Sequence, residues 1–375
     1  MLFYVNHTTR FAHNTGIQRC VRLTARALVE LGIPLRPVCW RPDQGFVLPT
    51  YDQLCHLERW NGPSADSWTL DLEPPMNPAW LLVVELVRGA DNPTPQRLQE
   101  AAKAWGLKVA WVFHDAIPIR LAHLYGGEQS LAARNHVAYM RGLSLADRVL
   151  ANSHATAQHL RSFLAKEQLL SINVQALPLA QAFPGARPRH PQETPQFGKP
   201  LRLLCVGSLE ERKNHRTLLK ALAWLLAFLE GSIDLRIVGW ANDPAIAALV
   251  ERAISLGLPV AWIRDADDER LNQLYAWAQF TVYPSIEEGF GLPVAESLWH
   301  GRGCLCSGEG ALGELAAEGG CLTVDTRSWR SLAEAMASLL TSPDRVVDLN
   351  TAAQQRPLRT WSDYGQQLLA ALELS

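Results

Sequence analysis

Short apolar runs alternate with segments of helical period along nearly the whole chain, and this alternation admits few folds. In the second half the predicted strands are Leu201–Gly207, Leu235–Gly239, Val260–Ile263, Phe280–Pro284 and Gly303–Ser307. Predicted helices lie between them at His215–Leu229, Pro244–Gly257, Asp268–Ala278 and Pro293–His300. The first half repeats the pattern with strands at Leu2–Asn6, Leu35–Trp40, Trp80–Val87, Lys108–His114, Arg148–Asn152 and Asn173–Leu177. Its helices fall at Ile17–Leu31, Thr94–Trp105, Gln129–Leu145 and Ala155–Leu164. Strands this apolar have no face suited to water, so helices must cover both sides of a parallel sheet. The fold class is therefore α/β, with two doubly wound Rossmann-like domains facing an interdomain cleft. In such sheets ligands bind beyond the carboxyl ends of the strands. Residues 41–79 show no usable period.

The clearest boundary is a stretch with five prolines and two glycines between Phe183 and Pro200. Proline lacks a backbone donor and biases its neighbours toward extended forms, so the stretch reads as a linker between domains 1–190 and 191–360. With 375 residues, 48% of them apolar, the chain is too long for one ordinary core and too apolar for disorder. Its 35 basic and 37 acidic residues exclude a polyanion-coating protein, so no nucleic-acid partner is expected. The first 190 residues nevertheless carry 19 basic against 14 acidic side chains. That excess suits an anionic membrane surface or a phosphorylated partner, and ordinary scatter of surface charge explains it equally well. No apolar run reaches the roughly 18 residues of a membrane span. The start MLFYVNHTTRF lacks the basic head and apolar run of a signal peptide. Seven scattered cysteines fit reduced thiols better than a disulfide framework. The expected location is cytoplasmic, peripheral at the inner face of the membrane if the basic half meets lipid.

The strongest local signal is SIEEGFGLPVAESLWHG, Ser285 to Gly301. Gly289 and Gly291, on either side of Phe290, permit a tight turn and close approach to a ligand. Pro293 suits a first helical turn, where its missing N–H costs nothing. The amides of Gly291 and Leu292 would then point out of a helix N-terminus, a seat for a diphosphate. Glu296, in that turn or just beyond, can accept two hydrogen bonds from a ribose diol. Glu288, in the loop, can reach hydroxyls at the other end of the same ligand. An acidic pair that only stabilises the helix dipole is the plain alternative.

A second signal is VGSLEERKNHRTL, Val206 to Leu218, where Arg212 and Lys213 stand between a strand and a helix at the mouth of the cleft. There they can neutralise a departing nucleotide diphosphate, a task otherwise given to a metal. Taken alone, such a pair is more often solvent-facing. In the first half, WVFHDAIP ends a strand with His114 and Asp115. His114 can bond a sugar hydroxyl or phosphate, and Asp115 can accept from hydroxyls or position its neighbour; a purely structural histidine is the alternative. HTTRFAHNTGIQR sets Gly16 before a helix able to seat an anion or sugar, although an Asn14 or Thr15 cap explains as much. Arg10 and Arg19 are weaker candidates for holding an acceptor. Asp265-Ala266-Asp267 spells a metal-binding triplet but precedes a helix, as a cap does. Cys304 and Cys306 have no second pair, so zinc is not expected.

FHD, VGSLEERKN and PSIEEGFGLPVAESLWHG together resemble glycosyltransferase family 4, retaining enzymes of the GT-B fold. The resemblance covers nearly all of the second domain, and the first mainly at the Gly16 loop, Phe113-His114-Asp115 and Ala151-Asn152-Ser153. Thr15-Gly16-Ile17-Gln18-Arg19 is similar to bacterial members that build surface polysaccharides, including lipopolysaccharide. The resemblance implies that Glu288 touches the donor sugar, Glu296 the ribose, and Arg212 and Lys213 the diphosphate. It implies that His114 is the active-site histidine, and that a final helix at 361–375 crosses back onto the first domain. Ser208 stands where some members carry arginine, which leaves more of the charge to Arg212 and Lys213. Backbone around Ile263 is expected to meet the base.

The expected reaction moves a hexose or deoxyhexose, such as mannose or rhamnose, from a GDP-, UDP- or dTDP-linked donor to a glycan or lipid-linked saccharide. The donor would bind the second domain and the acceptor the first, without metal or other cofactor. A catalytically silent sugar-nucleotide-binding partner in polysaccharide assembly, or an epimerase of the same fold, is the alternative.

Overall fold

The computed structural model describes residues 1–11, 14–72, 79–88, 92–169, 172–186, 200–228 and 233–374. Internal contacts divide the chain into two units, Met1–Ala180 with Arg359–Ser375, and Gln181–Leu358. The boundary falls at 180/181 instead of 190/191, and the return at 358/359 instead of 360/361. The physical reason is Phe183, whose ring lies 6.1 Å from that of Tyr275 and 5.0 Å from that of His300. Trp299 Nε1–H also donates to the Ala186 carbonyl at 3.1 Å, tying this segment to the second unit. The remainder of the proline-rich stretch, 187–199, lies outside the described residues.

The first unit holds β1 (Leu2–Tyr4), β2 (Arg36–Arg41), β3 (Gly45–Val47), β4 (Trp80–Val83), β5 (Lys108–Phe113), β6 (Arg148–Ala151) and β7 (Val174–Ala176). Their spatial order is β3-β2-β1-β4-β5-β6-β7, parallel throughout except for the β2–β3 hairpin. Six helices accompany them among the described residues before Ala180: α1 (Gly16–Glu30), α2 (Tyr51–Glu58), α3 (Pro95–Ala104), α4 (Ile117–Arg120), α5 (Leu131–Gly142) and α6 (His154–Lys166). Within 41–79, β3 has three residues and α2 eight, too short to show a period in sequence.

The second unit is a six-stranded, wholly parallel sheet. Its strands are β8 (Leu201–Val206), β9 (Ile233–Val238), β10 (Val260–Ile263), β11 (Phe280–Tyr283), β12 (Cys304–Ser307) and β13 (Cys321–Val324). The helices are α7 (His215–Leu226), α8 (Pro244–Ser255), α9 (Asp268–Trp277), α10 (Leu292–Trp299), α11 (Gly310–Ala317), α12 (Trp329–Thr341) and α13 (Pro343–Gln355). After α13 the chain rejoins the first unit. There α14 (Trp361–Ala371), capped by Thr360, packs on α1, with Gly365 set against Leu31 and Ala27. Among the described residues no helix is long and apolar enough to cross a membrane.

The strand order β10-β9-β8-β11-β12-β13 places a switch point between β8 and β11, where the chain leaves in opposite directions. A crevice forms at such a point outside the carboxyl ends of the strands. In the first unit, β1 and β4 stand in the same relation. The turns that line the second crevice are locked by close backbone approach. Gly239 has φ +151°, and a Cβ there would lie 2.1 Å from the Gly207 carbonyl oxygen. We expect Gly239→Ala to cost about 2 kcal/mol or more, because backbone must move to admit the methyl group. Urea unfolding checks this, and an unchanged midpoint would contradict the packing.

Candidate active site

The site grows from the turn after β8. A single 3-10 turn, Glu211–Lys213, ends at Asn214, whose φ of 59° is a conformation asparagine tolerates better than most residues. Asn214 is fixed there by its Nδ2–H donating to the Thr326 carbonyl at 2.6 Å. This turn directs Lys213 back across the end of β11. The Arg212 carbonyl accepts from the Ile286 amide at 2.9 Å, joining the turn to the loop after β11.

One carboxylate oxygen is the centre of the arrangement. Glu288 Oε1 accepts from Lys213 Nζ at 2.6 Å, Arg212 Nη1 at 2.8 Å, Tyr283 OH at 2.8 Å and Ser285 Oγ at 2.5 Å. Lys213 also donates to the Tyr283 hydroxyl, and its ammonium lies 5.0 Å from the centre of that ring. Arg212 Nη2 reaches Glu210 Oε1 at 2.9 Å, and Ser208 Oγ donates to the same oxygen at 3.0 Å. The cluster thus sets two cations against two carboxylates. The side chains of Lys213 and Glu288 are only 10% and 9% exposed, so these charges act in a poorly screened setting.

Burial alone would raise the Glu288 pKa, but Arg212 and Lys213 hold the carboxyl well below its ordinary range. Burial and the neighbouring Arg212 lower Lys213, against the pull of Glu288. Burial also works against the Arg212 charge, yet Glu288 and Glu210 raise its pKa well above the usual value.

The start of α10 lies beside this cluster in sequence. Its N-cap, Gly291, has φ +100°, and a Cβ there would meet Leu312 Cδ2 at 2.5 Å. The Gly291 carbonyl accepts from the Val294 and Ala295 amides at 3.0 and 3.1 Å. The amides of Gly291 and Leu292 have no acceptor among the described residues. Helix N-termini with amides in this state attract anions. Pro293 takes the second helical position, where it also lacks no needed bond.

The second unit holds its predicted residues through specific partners. Glu288, expected to reach sugar hydroxyls, is here clamped by Arg212 and Lys213, whose charges draw in the nearest carboxylate. Lys213 is buried rather than solvent-facing. Glu296 falls in the second turn of α10, 5% exposed, where Oε2 accepts from the Tyr275 hydroxyl at 3.0 Å. The Ile263 carbonyl accepts from the Gly239 amide at 3.0 Å, which occupies part of the backbone expected to read the base. Gly289 and Phe290 are buried in the turn leading to Gly291. Asp267 caps α9, accepting from the Arg270 amide at 2.7 Å, which gives the acidic triplet a structural role.

The first unit carries the other predicted residues. His114 follows β5, and its Nε2–H donates to the Val84 carbonyl at 2.6 Å; burial lowers its pKa, which favours the neutral ring. Asp115 Oδ1 accepts from the Ile117 amide at 2.9 Å, which makes it a local cap rather than an outward acceptor. Its carbonyl meets His136 Nε2 at 2.9 Å. Gly16 opens α1 behind a Thr15–Gln18 capping box. Arg10 donates to Asn6 Oδ1 at 3.2 Å, and Arg19 lies in the first turn of α1. Sequence reasoning missed Glu210, Tyr283 and Ser285; position after β8 and β11 was the available signal. It also missed Glu85, 2% exposed, whose oxygens accept from the His7 and Thr8 amides at 2.7 and 2.6 Å.

Residues 186–356 match the family described as Glycosyl transferases group 1. O-antigen chain mannosyltransferase B of Escherichia coli is 32% identical over 180 residues, 46% of this chain and 45% of that protein. D-inositol 3-phosphate glycosyltransferase 2 of Catenulispora acidiphila is 26% identical over 273 residues, 70% of this chain and 64% of that one. The matches thus span from under half to just under two thirds of those relatives' lengths. Among solved structures, sucrose-phosphate synthase from Thermosynechococcus elongatus superposes with a TM-score of 0.70 at 18% identity, covering 99% of this chain and 98% of that one. Anabaena HepE, solved in complex with UDP and glucose, gives 0.66 at 14% identity, with coverage of 99% and 98%. The chain has the two Rossmann-like domains of the GT-B fold.

Removing the negative charge at Glu288 should be costly. Glu288→Gln leaves buried Lys213 and partly buried Arg212 under-compensated, and we expect a loss of about 3 kcal/mol near neutral pH. The native pKa lies below the ordinary 4.5, so the carboxylate's contribution is complete above that value and fades as pH falls below it. Thermal melts should therefore show the gap between wild type and variant narrowing below about pH 4.5. A gap constant down the acid limb would contradict the assigned ion cluster.

Proposed function

We propose that the chain is a retaining glycosyltransferase of bacterial surface-polysaccharide synthesis. It moves a hexose or deoxyhexose from a nucleotide-sugar donor in the second unit to a saccharide or lipid-linked saccharide held by the first. The observation that carries the reading is the partly buried Arg212–Lys213–Glu288 cluster at the β8/β11 switch point, next in sequence to the open amides of α10. The E. coli O-antigen mannosyltransferase and the UDP complex of HepE support the donor class and the setting.

In the proposed reaction the donor diphosphate takes the place of the Glu288 carboxylate on Arg212 and Lys213. The C1–oxygen bond to the diphosphate breaks, and charge grows on the departing phosphate oxygen. Two cations and two backbone amides stabilise that charge in a site with little water. The acceptor oxygen bonds to C1 on the face the diphosphate leaves, and its proton passes to the departing phosphate. Glu288, released from the cations, becomes free to accept from sugar hydroxyls, while Glu296 serves the ribose. His114, neutral and anchored through Nε2, steers the sugar through its other face and takes no proton. The charge is met by side chains, so the reaction as proposed needs no metal.

Thermal shifts against GDP-, UDP- and dTDP-sugars test the reading, since a donor at about 100 times its Kd adds about 2.7 kcal/mol. The matching donor should raise the melting temperature. Lys213→Ala should then lower kcat at least about tenfold at saturating donor, because it removes stabilisation that grows in the transition state. EDTA should leave turnover intact. Glu288→Gln should bind the free nucleoside diphosphate more tightly than wild type while turning over more slowly, because no internal anion competes. Absence of any shift across the panel would refute the donor class.

A further inference from the structure

From Ala221 to Phe228 the chain reads ALAWLLAF, with no hydrogen-bonding polar side chain apart from one indole. Ala221, Leu222 and Leu225 enter the core of the second unit, as an amphipathic helix requires. The opposite face of a surface helix is ordinarily polar. Here it carries Ala223 and Trp224, and the turn just past the helix end adds Ala227 and Phe228, with Trp224 43% and Phe228 70% exposed. The Trp224 ring lies 5.2 Å from Phe228 and 5.9 Å from Trp329, which opens α12. Three aromatic rings therefore form one contiguous surface.

Two cations sit on the same surface. Lys220 Nζ lies 5.0 Å and the Arg330 guanidinium 4.9 Å from the Trp329 ring centre. Neither has a carboxylate at ion-pair distance among the described residues, whereas Arg216, one turn earlier, is paired with Glu211 at 3.0 Å. Protein–protein interface cores are depleted in lysine, and here a lysine stands within the aromatic cluster. Tryptophan beside protruding apolar groups and unpaired cations matches instead the headgroup layer of a bilayer, where rings enter the interface and cations meet anionic lipid.

We propose that the outward face of α7, with the start of α12, docks on an anionic lipid membrane. The contact is made by the second unit, not by the basic first half to which the charge count pointed. Because α7 begins beside Lys213 and runs away from it, Trp224 lies about 13 Å further along the helix axis, and docking leaves the crevice open to solutes. The proposal extends the transferase reading without depending on it, since no nucleotide enters the assay.

Co-sedimentation of the full chain with vesicles tests it, using phosphatidylcholine alone or mixed with phosphatidylglycerol. The wild type should bind the mixed vesicles and leave the neutral ones. Trp224→Ala/Phe228→Ala should weaken binding at least about tenfold, since two exposed aromatic anchors are lost. Lys220→Glu/Arg330→Glu should weaken it further, by at least about fivefold per charge. Both pairs are surface changes that should keep the wild-type melting temperature; the charge reversal carries the test if the aromatic variant unfolds. Equal binding by either folded variant, no preference for anionic vesicles, or a wild-type dimer split by Trp224→Ala/Phe228→Ala would overturn the proposal.

Discussion

A largely buried carboxylate held by a buried lysine and a partly buried arginine sets the character of the second unit. Glu288, Arg212 and Lys213 come from two loops far apart in sequence, joined only because β8 and β11 are neighbours at the sheet's switch point. Each charge would be costly alone in that environment, and together with Glu210 they compensate one another. An arrangement of this kind is a modest source of stability. It is well suited to exchange, because any anion that enters finds cations already desolvated and oriented.

The exchange requires a rigid frame, which backbone contacts supply. Gly239 meets the Gly207 carbonyl so closely that no side chain fits, and the Leu209 amide donates to the Trp240 carbonyl at 2.8 Å. The turns after β8 and β9 are therefore held against each other by backbone contact. Gly291 similarly abuts Leu312 of α11, which fixes where α10 begins and hence where its open amides lie. Small residues at these points are needed by neighbouring atoms, and each such contact bears on a turn that carries a site residue.

Much of this was legible in sequence, for physical reasons that differ by element. The strand at Val260–Ile263 agrees at both ends with the structure, since a short apolar run bounded by Pro259 and charged residues has little freedom of register. Helix α10 was legible from its glycines and Pro293 to within a residue. β13 was not, because CLTV is a partly exposed edge strand with no strong apolar run. The residue set Arg212, Lys213, Gly291 and Glu288 could be read from motifs, but the partners of Glu288 could not. Spacing along the chain placed it at the far end of a ligand, while the pairing of β8 with β11 brings the loops together and electrostatics does the rest. Lys213 shows the same gap: a charged residue after a strand looks exposed until the turn at Asn214 folds it back over Tyr283.

The two units place a buried carboxylate at equivalent points of their sheets, with opposite electrostatic outcomes. Glu85 follows β4 and straps the loop after β1 through two backbone amides. Burial there pushes its pKa up to about 7, and the hydrogen bonds from Thr8 and His7 offset only part of that rise. Glu288 is less deeply set and is depressed, because full charges, not amide dipoles, face it. The difference lies in the chemistry each crevice can accommodate. A site whose carboxylate is held by cations can trade it for a diphosphate. One whose carboxylate is held by amides, with Arg10 the charge acting on it, is the one we propose for a neutral, hydroxyl-rich ligand. That contrast, read from side chains within each unit, is one ground on which the division between donor and acceptor is proposed.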